Sequence, residues 1–185
     1  MYLRYLRPIL ILVFEKILGW KVVGNKPQLK KFVIIVAPHT SNWDFVIGIW
    51  VGSRLRLKTW FIGKKELFVF PFGYFFRWLG GFPVDRSKGS DLVLKIVDIF
   101  NSRSEFNIAL SPEGTRKYNP NWKTGFYRIA TQAGIPIYMA AIDFKSKSVV
   151  LSEPFFPTNN LDKDLEVIKT FFRQFKGKYP EKGVL

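Results

Sequence analysis

The sequence predicts an α/β fold, a mixed, largely parallel sheet flanked by helices. Three observations carry this. The continuous β-branched run 32–37, Phe-Val-Ile-Ile-Val-Ala, reads as a strand buried on both faces. Stretches with apolar residues at helical spacing alternate with such runs along the chain, as a parallel sheet with crossover helices requires. Hydrophobic residues fill 48% of the 185 positions, enough for one core, whereas a second domain would be cramped.

The elements follow in order. Residues 3–18 mix Leu, Ile, Val and Phe with Arg4, Arg7, Glu15 and Lys16, and predict a helix ending near Gly19-Trp20. It packs on the domain or lies as an anchor in a membrane interface; its imperfect periodicity leaves both open. We therefore divide the chain into an N-terminal interface helix, 1–20, and a main domain, 21–185. Pro38 ends the first buried strand, and Ser41 or Asn42 can cap a helix running through Trp50, with Asp44 in its first turn. Trp60–Ile62 predicts a strand. Ser87 or Ser90 can cap a helix carrying Leu92, Val93, Ile96, Val97, Ile99 and Phe100. Phe106–Leu110 predicts a strand broken at Pro112, and Lys123–Ala133 a helix stopped by Gly134. Strands are expected over Ile135–Phe144 and Val149–Leu151. Leu161, Leu165, Ile168, Phe171, Phe172 and Phe175 then share one helical face, with Lys and Arg between them.

Composition narrows the function. The formal net charge is +15, which calls for an anionic partner: nucleic acid, anionic lipid or a phosphorylated substrate. Aromatics reach 17%, with 19 Phe, and such side chains suit the boundary between headgroup and hydrocarbon, so lipid is favoured. The segment Trp60–Phe82 is densest in them and is expected to form an apolar lip toward a bilayer. There is no cysteine, which excludes disulfides, thiolate metal sites and a Cys nucleophile. The single histidine, His39, makes a metal centre improbable on ligand count. Pro8–Phe14, bracketed by Arg7 and Glu15, falls far short of the roughly 20 apolar residues of a membrane span. No small-residue cleavage site follows it, so we expect it to be retained, on the cytosolic side.

Chemistry concentrates in three places. His39 follows the first buried strand, and Asp44 lies five positions on, at a helix start. Across a strand–turn–helix junction, the carboxylate can reach one ring nitrogen and leave the other as a base. The same spacing also describes a surface histidine beside a capping aspartate. Ser111-Pro112-Glu113-Gly114-Thr115-Arg116 follows another buried strand: Gly114 permits a tight turn and Arg116 offers a forked donor for phosphate, although an ordinary polar turn has this composition too. Arg86 ends the apolar stretch Phe82-Pro83-Val84-Asp85-Arg86, where a solvated charge is the plainer reading.

Taken together, the chain resembles the glycerolipid acyltransferase family, whose best-known members are the lysophosphatidic acid acyltransferases. Its His-x4-Asp motif is matched by His39 and Asp44, its arginine after an apolar stretch by Phe82–Arg86, and its Pro-Glu-Gly-Thr-Arg by Pro112–Arg116. Its apolar Gly-x-Pro strand is matched by Gly134-Ile135-Pro136; Met139 stands where members often carry a second proline. The resemblance covers roughly residues 22–144.

It implies an O-acyltransferase of phospholipid biosynthesis whose domain is 21–185. His39 would be the general base and Asp44 its orienting partner. Arg86, Glu113, Gly114, Thr115 and Arg116 would bind the acceptor and its phosphate, and Pro136 would line an acyl or acceptor pocket. No bound cofactor is implied, with acyl-CoA or acyl carrier protein as co-substrate. The acceptor would be a lysophospholipid such as 1-acylglycerol-3-phosphate, or another lysolipid or polar lipid. The protein would sit peripherally on the cytoplasmic face of a membrane with an anionic surface, and no specific nucleic acid would be bound. Two rivals remain: a basic nucleic-acid-binding protein, which gives no reason for His39, Asp44 and 112–116, and a thioester hydrolase in which His39 activates water.

Overall fold

The computed structural model describes residues 7–84 and 89–184. The strands among them are β1 (Lys21–Val23), β2 (Lys31–Ala37), β3 (Trp60–Lys64), β4 (Gly81–Val84), β5 (Phe106–Leu110), β6 (Ile137–Asp143) and β7 (Ser148–Leu151). They form one sheet in the order β1-β7-β6-β2-β5-β3-β4. Every neighbouring pair is parallel except β6 and β7, which are antiparallel, so the sheet is mixed and largely parallel as expected. β2 is central, bonded to β5 on one side and β6 on the other. That explains its uninterrupted apolar run, because neither face nor edge meets water.

The helices are α1 (Arg7–Ile11), continued by a π-helical stretch (Leu12–Ile17), then α2 (Trp43–Leu55), α3 (Phe72–Trp78), α4 (Gly89–Ser102), α5 (Gly125–Ala133) and α6 (Leu161–Arg173). Of the two serines expected to start α4, Ser87 lies outside the described residues, as does the Ser90 side chain. Alternation along β2 divides the core. Val33, Ile35 and Ala37 pack with Val93 and Phe100 of α4, Phe126 and Ile129 of α5, and Ile168 and Phe172 of α6. Phe32 and Ile34 face the opposite layer. There Ile47, Trp50 and Val51 of α2 pack with Phe14 and Trp20, the Phe14 ring stacking on Trp50 at 5.1 Å. α5 stops at Gly134, whose φ of 62° suits the left-handed C-cap.

The N-terminal helix packs on the domain, one of the two readings the sequence left open. Phe14 is buried and Glu15 pairs with Arg54 of α2 at 2.9 Å, while Ile9, Leu12 and Ile17 remain exposed. Its π-helical stretch accounts for the imperfect periodicity of 3–18, since a wider turn shifts each later side chain around the axis. No helix among the described residues is long and apolar enough to cross a membrane.

Candidate active site

β2 and β5 lie side by side in parallel, with Ile35 opposite Leu110. The turns that leave them, 38–42 and 111–116, therefore emerge at the same edge of the sheet. From β2 the chain passes into α2 on one face, and from β5 into α5 on the other. Such divergence marks the carboxyl ends of the two strands as the switch point where open α/β sheets place their sites. His39 and Glu113, 74 positions apart, meet there.

Asp44 organises the first turn. Its carboxylate is buried, and Oδ2 accepts the backbone N–H groups of Thr40 at 2.7 Å and Ser41 at 2.8 Å. The Ser41 hydroxyl donates to Oδ1 at 3.1 Å and accepts the Trp43 N–H at 3.1 Å. The N-cap is Asn42, whose side chain makes no capping bond; the Ser41 hydroxyl, one residue earlier, accepts the first helical N–H instead. A carboxylate in the first turn also gains from the helix dipole. Nδ1 of His39 stands 3.1 Å from the same Oδ2. With Nδ1 turned to that carboxylate oxygen, Nε2 is the ring nitrogen facing away from it, in a side chain that is 26% exposed. The strand–turn–helix junction thus brings the Asp44 carboxylate to one ring nitrogen of His39, as their spacing suggests.

Glu113 approaches His39 from the other strand. Its side chain is buried, and Oε2 accepts the His39 backbone N–H at 2.8 Å. Oε1 is buried with no hydrogen-bond partner among the described residues. Burial pushes the Glu113 carboxyl from 4.5 up to about 7, against the pull of the His39 N–H. Its own backbone is fixed too: the Glu113 carbonyl accepts from Asn119 Nδ2 at 2.7 Å, and the Pro112 carbonyl accepts the Lys123 N–H at 2.7 Å. Gly114 adopts φ 68°, and a Cβ there would stand 3.3 Å from Lys123 Cγ, so both conformation and space favour glycine.

The remaining expected residues divide. Arg116 is exposed and donates through Nη1 to the Asn42 side-chain oxygen, tying the second turn to the first. Thr115 Oγ1 accepts the Lys117 N–H at 3.3 Å and stays within its own loop. Arg86 lies outside the described residues. Pro136 precedes β6 at the opposite end of the β2–β6 pair, where its carbonyl accepts the Val33 N–H at 3.0 Å. Strand rise puts that on the order of 20 Å from His39, so Pro136 is not among the groups gathered around the histidine. Thr40 is the participant that residue-type reasoning passed over, and Ser41 and Asn42 entered it only as helix caps. The one available signal was their place between His and Asp in a turn that must satisfy buried amides. The histidine has no metal-binding company: no group of three or more His, Cys, Asp or Glu that could hold a metal occurs among the described residues.

Comparison with known proteins finds similar sequences and a similar fold. A family model described as Acyltransferase matches residues 20–143. Over 147 residues the chain is 30% identical to a 1-acyl-sn-glycerol-3-phosphate acyltransferase of Streptococcus pneumoniae, covering 74% of this chain and 52% of that one. Over 144 residues it is 30% identical to the enzyme of the same name from Escherichia coli, covering 72% and 57%. The chain therefore spans a little over half the length of these curated relatives. Its fold is that of the crystal structure of the 1-acyl-sn-glycerophosphate (LPA) acyltransferase PlsC from Thermotoga maritima, with a TM-score of 0.64 at 19% identity over 93% of this chain and 78% of that one. With a family model matched across both turns and curated relatives at this identity, the chain belongs to the acyltransferase family.

Proposed function

We propose that the protein transfers a fatty acyl group from an acyl thioester, acyl-CoA or acyl carrier protein, to the free hydroxyl of a lysophospholipid such as 1-acylglycerol-3-phosphate. One observation carries this reading: the buried Asp44 carboxylate stands 3.1 Å from His39 Nδ1, which turns Nε2 away from it to serve as the base. Nε2 takes the hydroxyl proton as the acceptor oxygen attacks the thioester carbonyl. The tetrahedral intermediate collapses, the carbon–sulfur bond breaks, and the imidazolium returns the proton to the departing thiolate. Asp44 stabilises the imidazolium in between. No acyl-enzyme is needed, in keeping with the absence of cysteine and of a G-x-S-x-G elbow. Purified protein given labelled acyl-CoA and acyl carrier protein with a panel of lysolipids tests the proposal. A transferase yields the diacyl lipid only when lysolipid is present; a hydrolase releases free fatty acid with or without it, and that outcome rejects the transfer reading.

Arg116 supports a phosphorylated acceptor. One guanidinium nitrogen is committed to Asn42, and the exposed fork beside the catalytic turn suits a bidentate phosphate. Replacing Arg116 by alanine is expected to raise the acceptor KM on the order of tenfold, the value of one charge-assisted hydrogen bond, and to leave the donor KM nearly unchanged. Arg86→Ala is expected to act in the same direction. Equal changes for both substrates would reassign these arginines to structure.

Peripheral attachment to an anionic bilayer, on its cytoplasmic face, completes the reading. Between Glu66 and Arg77 no residue is charged, yet Phe70 is 84% exposed, Tyr74 73% and Phe72 67%. Their segment reaches toward the site through Phe76 of α3, whose ring lies 6.0 Å from that of Phe45, the residue after Asp44. Sedimentation with anionic vesicles is expected to fall as salt rises, because basic residues contribute about 1 kcal/mol each near such a surface and salt screens them. A component due to inserted rings should persist at high salt and disappear in Phe70→Ser/Phe72→Ser. Protein that stays in the supernatant with anionic vesicles at low salt would refute the attachment.

A further inference from the structure

The segment after α6 lies beyond the 20–143 stretch matched by the family model, yet it runs to the catalytic turn. Two hydrogen bonds pin its start to the end of β6, the neighbour of β2: the Lys176 N–H donates to Asp143 Oδ1 at 3.0 Å, and the Lys176 carbonyl accepts the Phe144 N–H at 2.8 Å. Gly177 then presses on Thr40. A Cβ at Gly177 would stand 2.7 Å from Thr40 Oγ1 and 2.8 Å from its Cγ2, closer than real side chains approach. The Tyr179 N–H donates to Thr40 Oγ1 at 3.3 Å, and the Lys178 ammonium sits over the Trp43 ring at 5.3 Å. Gly183 passes Pro38, where an added Cβ would meet Pro38 Cβ at 3.6 Å. His39 is thus flanked by two residues, Pro38 and Thr40, that both bear on this strap. Thr40 is the closer link to chemistry, because its backbone N–H is one of the donors that fix Asp44 Oδ2.

We propose that residues 176–183 are a positioning element of the active site, holding the catalytic turn through Thr40 so that the His39 ring keeps its place against Asp44. The strap touches no reacting atom. It acts on the register of the turn, and interiors packed at crystal-like density transmit a displacement rather than absorb it. The inference rests on the reading of His39 as the base, and the sequence offers a probe independent of turnover: His39 is the single histidine, so its ring resonances are unambiguous in an NMR spectrum.

Gly177→Ala tests it. The new methyl must push Thr40 away by several tenths of an ångström. Misplacement by about 1 Å can cost roughly a hundredfold in rate, so kcat is expected to fall about tenfold or more, with the KM values of donor and acceptor little changed. The His39 resonances should move in the same variant. In a Thr40→Ala background, which removes both close atoms, adding Gly177→Ala should cost much less, since contacting residues couple. A folded Gly177→Ala protein with unchanged kcat and unchanged His39 resonances overturns the proposal, as does an equal cost in both backgrounds. If Gly177→Ala does not fold, Thr40→Val decides: it keeps the volume but removes the oxygen that accepts the Tyr179 N–H. Shifted His39 resonances with a severalfold lower kcat support the strap. A lower melting temperature with neither change makes the contact merely structural and rejects it. Should His39→Ala itself prove active, the base assignment fails, while the resonance shift still reports whether the strap holds the turn.

Discussion

Replacing His39 by alanine is expected to give a folded protein that has lost acyl transfer by a factor on the order of a hundred to ten thousand. The fold should survive because the side chain stands on a turn, partly exposed, and supports no core cluster. Its structural link, the backbone N–H donated to Glu113, is retained by alanine. What disappears is Nε2, the proton acceptor of the proposed mechanism. Asp44→Asn should cost rate by a different route. An amide oxygen in place of Oδ2 can still accept the Thr40 and Ser41 N–H groups, so the turn persists, but the charge that stabilises imidazolium is gone. Asp44→Ala is the poorer probe, because it strands two buried amides and confuses lost chemistry with lost structure. The comparison is made on protein of matched circular dichroism, in single-turnover acyl transfer to lysolipid. Turnover by folded His39→Ala within a few-fold of the parent would remove His39 as the base.

How much of this was legible depends on what each feature needs from the rest of the chain. β2, β5 and α6 could be read because their pattern is local: runs buried on both faces, or one face at helical spacing. β4 was read only as an apolar stretch, since Pro83 argues against a strand; it fits because β4 is the sheet's edge and its outer side needs no donor. β1 has three residues, two of them exposed, and leaves no periodic trace. α3 was hidden because its outer face is as aromatic as its inner one, so there is no polar stripe to count. α5 starts at Gly125, not Lys123: Thr124 is its N-cap, and Lys123 belongs to the preceding loop, its N–H bonded to the Pro112 carbonyl. At the site, His39 and Asp44 are close in sequence and could be paired by spacing. The hold of Glu113 on the His39 backbone depends on β2 and β5 being neighbours, and that of Gly177 on Thr40 depends on the whole sheet. A glycine required by another residue's side chain carries no mark in its own neighbourhood.

The raised carboxyl of Glu113 predicts a pH dependence of stability that glutamine should abolish. The folded state holds its proton up to about pH 7, whereas the unfolded chain releases it near 4.5. Between those values the folded protein binds more protons, so stability falls as pH rises. At about 1.4 kcal/mol per pH unit, the loss from this group amounts to about 3 kcal/mol, complete once pH exceeds the folded value. The cause is burial with one oxygen, Oε1, unpartnered: ionisation there puts charge where only Oε2 has a donor. Glu113→Gln keeps an oxygen to accept the His39 N–H and cannot ionise. Relative to the parent, it is expected to gain about 3 kcal/mol between pH 4.5 and pH 8. Any fixed cost of burying the amide NH2 is the same at both ends and drops out of that difference. Urea unfolding of both proteins at the two pH values measures it. Parallel stability profiles would mean that Glu113 ionises in the fold as freely as in the unfolded chain, and that the second carboxylate is already charged beside Asp44 at neutral pH.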